Sequence, residues 1–307
     1  MDTRSIYTNK RNIVLLATLC CFLWGSAYPC IKIGYKLFNI PTNDIASKFV
    51  FAGIRFFLAG LIVLAIAVVM KKGIFSFSKK DILRISFLGL GQTSLQYIFF
   101  YIGMTFTTGI TGSIITGSGT FFSIILAHFI YKNDKINKSK ILGCIVGFTG
   151  VVLANLNNGS LLKSSFSFKG EGLIMLAALS LSIFSIYGKK ITQKLDAFIV
   201  TGYQLAIGGF ILVILGYGLG GQLVGFNFKS IILLIYMALL SSVAFSIWTI
   251  LLKYNKVAVI SMFNFLVPVF GAILSAVFLG ENIFDIKLLA SLMLVCSGIF
   301  AVYRCQD

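Results

Sequence analysis

VAVISMFNFLVPVFGAILSAVFLGE, residues 257 to 281, decides how this chain is read. Positions 257 to 280 are 24 consecutive uncharged residues, more than the ~20 residues of helix that cross a hydrocarbon core. Pro268 lies inside the run, removes one backbone donor and predicts a bend in mid-membrane. Glu281 closes the run with a charge suited to a water interface. The stretch has a twin: at an offset of 149 positions, Thr107 to Lys132 reads TTGITGSIITGSGTFFSIILAHFIYK. Gly119 stands there in place of Pro268, and Lys132 in place of Glu281. Two copies of one bent helix imply a duplicated protein built around the gap between them.

Working outward, the composition fits that reading. The 307 residues are 58% hydrophobic and 11% charged, with a mean hydropathy of +0.97. A soluble domain carries about a quarter charged residues, so the chain reads as a polytopic, all-α membrane protein with the lipid bilayer as its solvent. The net charge of +17 sits in short loops between apolar runs, which suits retention of Lys and Arg on one side of a membrane. No basic groove or interleaved aromatic platform can form in such loops, and no nucleic-acid partner is expected. Five of the six cysteines lie within apolar runs without metal-ligand spacing and read as small packing residues. The first apolar run, Ile13 to Ile31, is longer than a signal h-region, so it is expected to stay as a helix.

Ten crossings fit, near 13–33, 50–70, 84–105, 110–131, 140–156, 171–188, 198–218, 230–252, 257–280 and 287–303. The glycine- and threonine-rich segment from Thr105 to Gly112 divides an uncharged stretch too long for one helix. Lys and Arg number eighteen in the N-terminal segment and the loops on its side, against seven on the other. That asymmetry predicts cytoplasmic termini. With no targeting segment and a Lys/Ile/Asn-rich composition, a bacterial inner membrane is the expected location.

The repeat extends over the chain. Gly53, Arg55, Leu58 and Gly60 match Gly202, Gln204, Ile207 and Gly209, and Gln92, Gln96 and Phe99 match Ser241, Phe245 and Trp248. In the first helix of each half, Ser26 and Tyr28 match Ser185 and Tyr187. Halves of five helices, 1–160 and 161–307, place the second copy upside down. Such inverted repeats are typical of secondary transporters, with substrate near the midplane between the halves.

Catalytic chemistry has little to work with. There is no Walker sequence, one histidine (His128), and all nine acids fall in loops or at helix ends. No enzyme activity, metal site or cofactor is expected, and a proton relay through buried carboxylates has almost no members. Gly216-x-Gly218-x-x-Gly221 spells a dinucleotide fingerprint but follows a membrane span, not a strand. Arg55 is the one permanent charge inside a span, and two readings are open. It can snorkel toward headgroups or cap a neighbour's carbonyls, or it can face a cavity and attract a carboxylate or phosphate. Gln92 and Gln96 share a helix face with Phe99, with Tyr97 beside them. Trp24, Ser26 and Tyr28 precede Pro29, and Tyr187, Ser241, Trp248 and Asn264 come from the second half. Together these could line a soft, mostly apolar substrate pocket with a few hydrogen-bonding groups. A stripe of Ser113, Thr116, Thr120 and Ser123 reads either as helix–helix glue or as cavity lining. Gly143-x-x-x-Gly147 allows close approach within one chain or in a homodimer.

LWGSAYPCIKIG (23–34), GIRFFLAGLIVL (53–64) and FLVPVFGAILSAVFLGE (265–281), in that order and spacing, resemble the EamA-type permeases of the drug/metabolite transporter superfamily over essentially the whole chain. The resemblance implies two inverted five-helix repeats, cytoplasmic termini and a central cavity. It also implies export of amino acids, other small metabolites or drugs. The first half departs from the pattern at Gly119 and Lys132, which puts its hinge and gate in doubt; Gly119 and Pro268 are the two expected hinges. The rival within transport, a nucleotide-sugar or phosphate-ester antiporter, would want several cavity cations. A sensor or scaffold, the rival outside it, would want an appended soluble domain or long tail.

Overall fold

The computed structural model of the protein describes residues 3–73, 77–107, 109–155, 167–279 and 286–304, and no strand occurs among them. The helices are α1 (Thr3–Thr8), α2 (Lys10–Leu37), α3 (Ile45–Val69), α4 (Lys79–Gly89), α5 (Gln96–Thr105), α6 (Gly109–Ile130) and α7 (Lys138–Asn155). They continue as α8 (Leu173–Thr192), α9 (Ala197–Gly218), α10 (Phe228–Tyr254), α11 (Val257–Met262), α12 (Leu266–Leu279) and α13 (Ile286–Arg304). By length and apolar composition, six of the described helices can each cross a membrane, which makes this an all-α, multi-pass integral membrane protein. Glu281, expected as an interfacial stop, lies outside the described residues, as does the side chain of Ser113.

Three irregular turns interrupt the helices. A 3₁₀ turn at Phe263–Phe265 joins α11 to α12. It falls where Pro268 dictates, because the proline has no N–H for the carbonyl four residues back, Asn264, and its ring crowds that carbonyl. Leu266 N–H turns instead to Phe263 O. The early copy carries no such break. α6 runs through Gly119 without interruption, since Gly119 keeps the donor that Pro268 lacks. The other two turns are π-helical, Leu90–Leu95 between α4 and α5 and Phe168–Gly172 before α8. The span expected at 84–105 is therefore two helical halves with a wide turn between them.

Hydroxyl and thiol groups from neighbouring helices donate to carbonyls at these turns. Ser180 donates to Gly91 O at 3.0 Å, Thr120 to Ser261 O at 3.2 Å and Cys21 to Phe263 O at 3.1 Å. Ser123 bonds Ser182 at 3.0 Å, and Ser182 donates to Gly119 O at 2.9 Å. Two members of the polar stripe of α6, Thr120 and Ser123, thus bond to neighbouring helices, while Thr116 bonds back to Gly112 O within α6.

The tightest contact joins α3 to α9. A methyl on Gly60 would lie 2.3 Å from Ala206 N and 2.6 Å from Gly202 O; one on Gly53 would lie 2.8 Å from Gly209 O. The glycines matched by the repeat therefore meet one another, Gly53 with Gly209 and Gly60 with Gly202, so the two helices run antiparallel, backbone on backbone. A second close pair joins α7 to α13, where a methyl on Gly143 or Gly298 would lie 2.6 Å from the other's carbonyl oxygen. The Gly143-x-x-x-Gly147 motif is used here inside one chain. Around these pairs, α2 packs on α10 and α12, and α8 packs on α5 and α6.

Connections fall at two ends of the bundle. At one, Asp134 joins Lys140 in an ion pair at 2.7 Å, with side chains 2% and 7% exposed, and accepts Ala258 N–H at the start of α11. There Lys72 pairs with Asp196, Lys189 donates to Asn255 O, and Asn255 reaches Tyr7 O. At the other end, Gln222 N–H reaches Ser47 Oγ, and Glu171 accepts from Thr107 Oγ1 and Ser167 N–H.

This packing carries two expected outcomes. Gly60→Ala, forced against backbone, should lower stability by about 1–3 kcal/mol, seen as an earlier thermal transition in detergent, whereas Gly218→Ala, which meets nothing within 4 Å, should leave it unchanged. Asp134→Ala, which strands the buried Lys140 ammonium, should cost about 3–5 kcal/mol in the same assay, with Asp134→Asn milder because it keeps an acceptor for Ala258.

Candidate functional site

Arg55 lies on α3, which starts at Ile45, earlier than the span expected from residue 50. The side chain therefore sits about ten residues, or ~15 Å, along the helix. It is 3% exposed and turned into the bundle. The guanidinium stacks over the Phe56 ring at 4.1 Å and lies 5.8 Å from the Tyr97 ring. Nε and Nη1 are buried without a hydrogen-bond partner. Among the described residues, neither of these two nitrogens finds a carbonyl to cap.

Rings from four helices enclose it. Phe56 meets Tyr97 at 4.5 Å and Phe245 at 6.1 Å; Trp24 meets Phe245 at 5.4 Å and Trp248 at 5.0 Å; Tyr101 lies 6.0 Å from Tyr97. The enclosure thus draws on α2, α3, α5 and α10, from both halves of the sequence. It is short of hydrogen bonds in a systematic way. Besides the arginine nitrogens, Trp24 Nε1 and Tyr101 Oη are buried and unpartnered, and so is Gln96 Oε1 on the same helix as Tyr97 and Tyr101. Buried polar groups normally find partners, and an uncompensated buried charge costs several kcal/mol even after relaxation. A cluster of such groups in one aromatic enclosure makes it the candidate ligand site.

The wide turn at Leu90–Leu95 shapes this enclosure. One extra residue in a turn rotates the remainder of the helix by about 100°, so Gln92 and the residues after Leu95 address different neighbours. Gln92 looks toward α8 and α9, 3.4 Å from Ser185 Oγ. It lines a narrow cleft with Ser185, Lys189, Thr201, Gln204 and Thr249. Gln204, the repeat mate of Arg55, is 2% exposed and fully engaged there, donating to Thr93 Oγ1 at 2.6 Å. One member of the matched pair donates to a neighbouring hydroxyl, while two nitrogens of the other are left without partners.

Of the residues expected to line the site, Trp24, Arg55, Tyr97 and Trp248 come together, with Gln96 adjacent. The others take separate places. Ser26 bonds Leu23 O and Tyr236 Oη, and Ser241 bonds back to Met237 O. Tyr28 packs at Gly271 of α12. Tyr187 sits among Phe87 and Phe184, and Phe87 is 53% exposed. Asn264 occupies the 3₁₀ turn. Gly119 and Pro268 lie in α6 and α12.

With this geometry in view, comparison with known proteins is informative. A family model described as the EamA-like transporter family matches residues 11–156 and again 168–304. The chain belongs to that family. An uncharacterised transporter of Archaeoglobus fulgidus is 28% identical over 277 residues, covering 89% of this chain and 91% of its own. A probable amino-acid metabolite efflux pump of Salmonella typhimurium is 25% identical over 301 residues, covering 93% and 92%. A solved crystal structure, 14% identical, covers 96% of this chain and 97% of its own with a TM-score of 0.79, a likeness that speaks for the fold alone.

In this EamA-like transporter, sequence reasoning missed Phe56 and Tyr101 as site residues. Each carries a signal that was available: Phe56 is the neighbour of the lone intramembrane charge, and Tyr101 lies four residues, one helical turn, beyond Tyr97. The engaged amide offers a check on the local energetics. Gln204→Leu should cost about 1–3 kcal/mol by stranding the Thr93 hydroxyl. Adding Thr93→Val should recover part of that loss in a thermal-unfolding double-mutant cycle.

Proposed function

We propose that this EamA-like chain is a secondary transporter that exports a small metabolite, an amino-acid-like or other small amphipathic solute, by alternating access. Ten crossings, arranged as two inverted five-helix halves, carry the substrate site between them. The observation that bears most weight is the exchange of packing partners. α2 rests on α10 and α12, while its counterpart α8 rests on α5 and α6, the counterparts of those two helices. The antiparallel α3–α9 and α7–α13 pairs lie on the axis of that exchange. Two halves that pack on each other in this reciprocal way can rock about a fixed central site. The charge asymmetry of the loops favours cytoplasmic termini, and the setting in this reading is a bacterial inner membrane.

In this scheme the Asp134–Ala258 and Lys189–Asn255 contacts close the cytoplasmic end, and the α11–α12 turn supplies the bend that reopens it. The test is release from proteoliposomes loaded with a mixed pool of amino acids, nucleobases, sugars and organic acids, read by mass spectrometry. Wild-type vesicles should release a subset of solutes that empty vesicles retain. A disulfide between cysteines introduced at Thr120 and Ser261, in a background without other cysteines, should abolish that release until it is reduced. Unchanged flux through the crosslinked protein would sink alternating access, and no selective release from any gradient would sink the transport reading.

A further inference from the structure

We infer that the enclosure around Arg55 is a binding site for a monovalent organic carboxylate carrying an apolar or aromatic body. This site rests on the transport reading above and adds to it the charge class of the solute, which neither the family nor its named relatives supply for this chain.

Unsatisfied donors are concentrated there. The enclosure offers a guanidinium with free Nε and Nη1, an indole N–H from Trp24 and the Tyr101 hydroxyl. Those are donors placed for an oxyanion, and a guanidinium edge matches the two oxygens of a carboxylate. For an ammonium group the surroundings hold one unpartnered amide oxygen, Gln96 Oε1, and no free carboxylate among the described residues. The five acids among the described residues are all committed elsewhere: Asp44 to Ser47, Asp81 to Ser78 and Arg84, Asp134 to Lys140, Glu171 to Thr107 and Asp196 to Lys72. The nearest ring faces are already partly used, since Phe56 carries the guanidinium itself. A cation or a zwitterion would leave one of its charges without an anchor, whereas a simple carboxylate would not.

Valence is set by the same count. The other buried cation on this helix, Lys48, lies two turns toward the end of α3, donates to Thr42 O and sits 5.5 Å from the Tyr35 ring. A single charge faces the enclosure, which suits a monoanion better than a phosphate ester. The surrounding Phe56, Tyr97, Trp24 and Phe245 rings provide the apolar body with its contact surface.

The chain supplies its own probe. Its two tryptophans are Trp24 and Trp248, and they touch each other at this site. Intrinsic fluorescence of the full chain in detergent therefore reports occupancy without any transport step. Phenylacetate, phenethylamine and phenyl phosphate share a ring and differ in charge. Phenylacetate should give a saturable change at millimolar or lower concentration and bind more tightly than the other two. Arg55→Gln should weaken it by about tenfold or more, and Arg55→Lys by less, because the charge remains and the fork is lost. The assignment is overturned by tighter binding of phenethylamine or phenyl phosphate, by no saturable response to phenylacetate, or by a smaller loss in Arg55→Gln. If that variant fails to fold, the wild-type charge series decides alone. Selective release from vesicles without phenylacetate binding leaves the transport reading standing and removes this one. Phenylacetate binding without release of any solute does the reverse.

Discussion

The contact on which everything else depends is the meeting of two bare backbones. α3 and α9 touch backbone to backbone through Gly53, Gly60, Gly202 and Gly209, with the Leu64 and Val213 side chains packed beside them. In lipid there is little hydrophobic drive to bring helices together, so close packing and its dispersion contacts must do it. Because the pair is antiparallel and its glycines match across the repeat, the contact also sets how the two halves face each other. Arg55 is two residues beyond Gly53, and Gln204 two beyond Gly202. The seam that joins the halves thus fixes the height of both polar groups.

A second constraint is local. Every irregular turn frees carbonyls that hydrocarbon cannot solvate. Hydroxyls and a thiol meet that need at Gly91, Ser261 and Phe263, each from a helix distant in sequence. These bonds hold the broken helix while leaving it weaker than an unbroken one, since a side-chain donor can leave a carbonyl more readily than the helix ladder can. The Arg55 enclosure stands apart from this pattern. Elsewhere among the described residues only the Ser118, Thr201 and Ser246 hydroxyls are buried without partners, so the group gathered around Arg55 stands out.

Much of this was legible in the sequence. Hydropathy located the helices, the Thr105–Gly112 segment located a turn, and the constant offset singled out four glycines that meet crosswise, Gly53 with Gly209 and Gly60 with Gly202. Pro268 announced a break because a missing donor acts on its own helix. The wide turn at Leu90–Leu95 was not legible, since one extra residue in a turn leaves no compositional mark; only Gly89 and Gly91, crowded by Gln204 O and the Phe184 ring, hint at it. The start of α3 at Ile45 was hidden by Lys48, a charge that reads as loop until Thr42 O is seen to receive it. That Arg55 Nε and Nη1 lack partners is a property of the whole surroundings, and no window of sequence contains it.

The wide turn has a consequence for inheritance. In an ordinary buried helix, a one-residue insertion swings every later side chain to a new face, and selection removes it. Here the extra residue is absorbed between α4, which answers to α9, and α5, which answers to Arg55 and α8. The two halves of one crossing are thereby uncoupled, so a substitution that suits the seam need not disturb the enclosure. A lineage of such proteins can change what it carries while keeping the joint that holds it together.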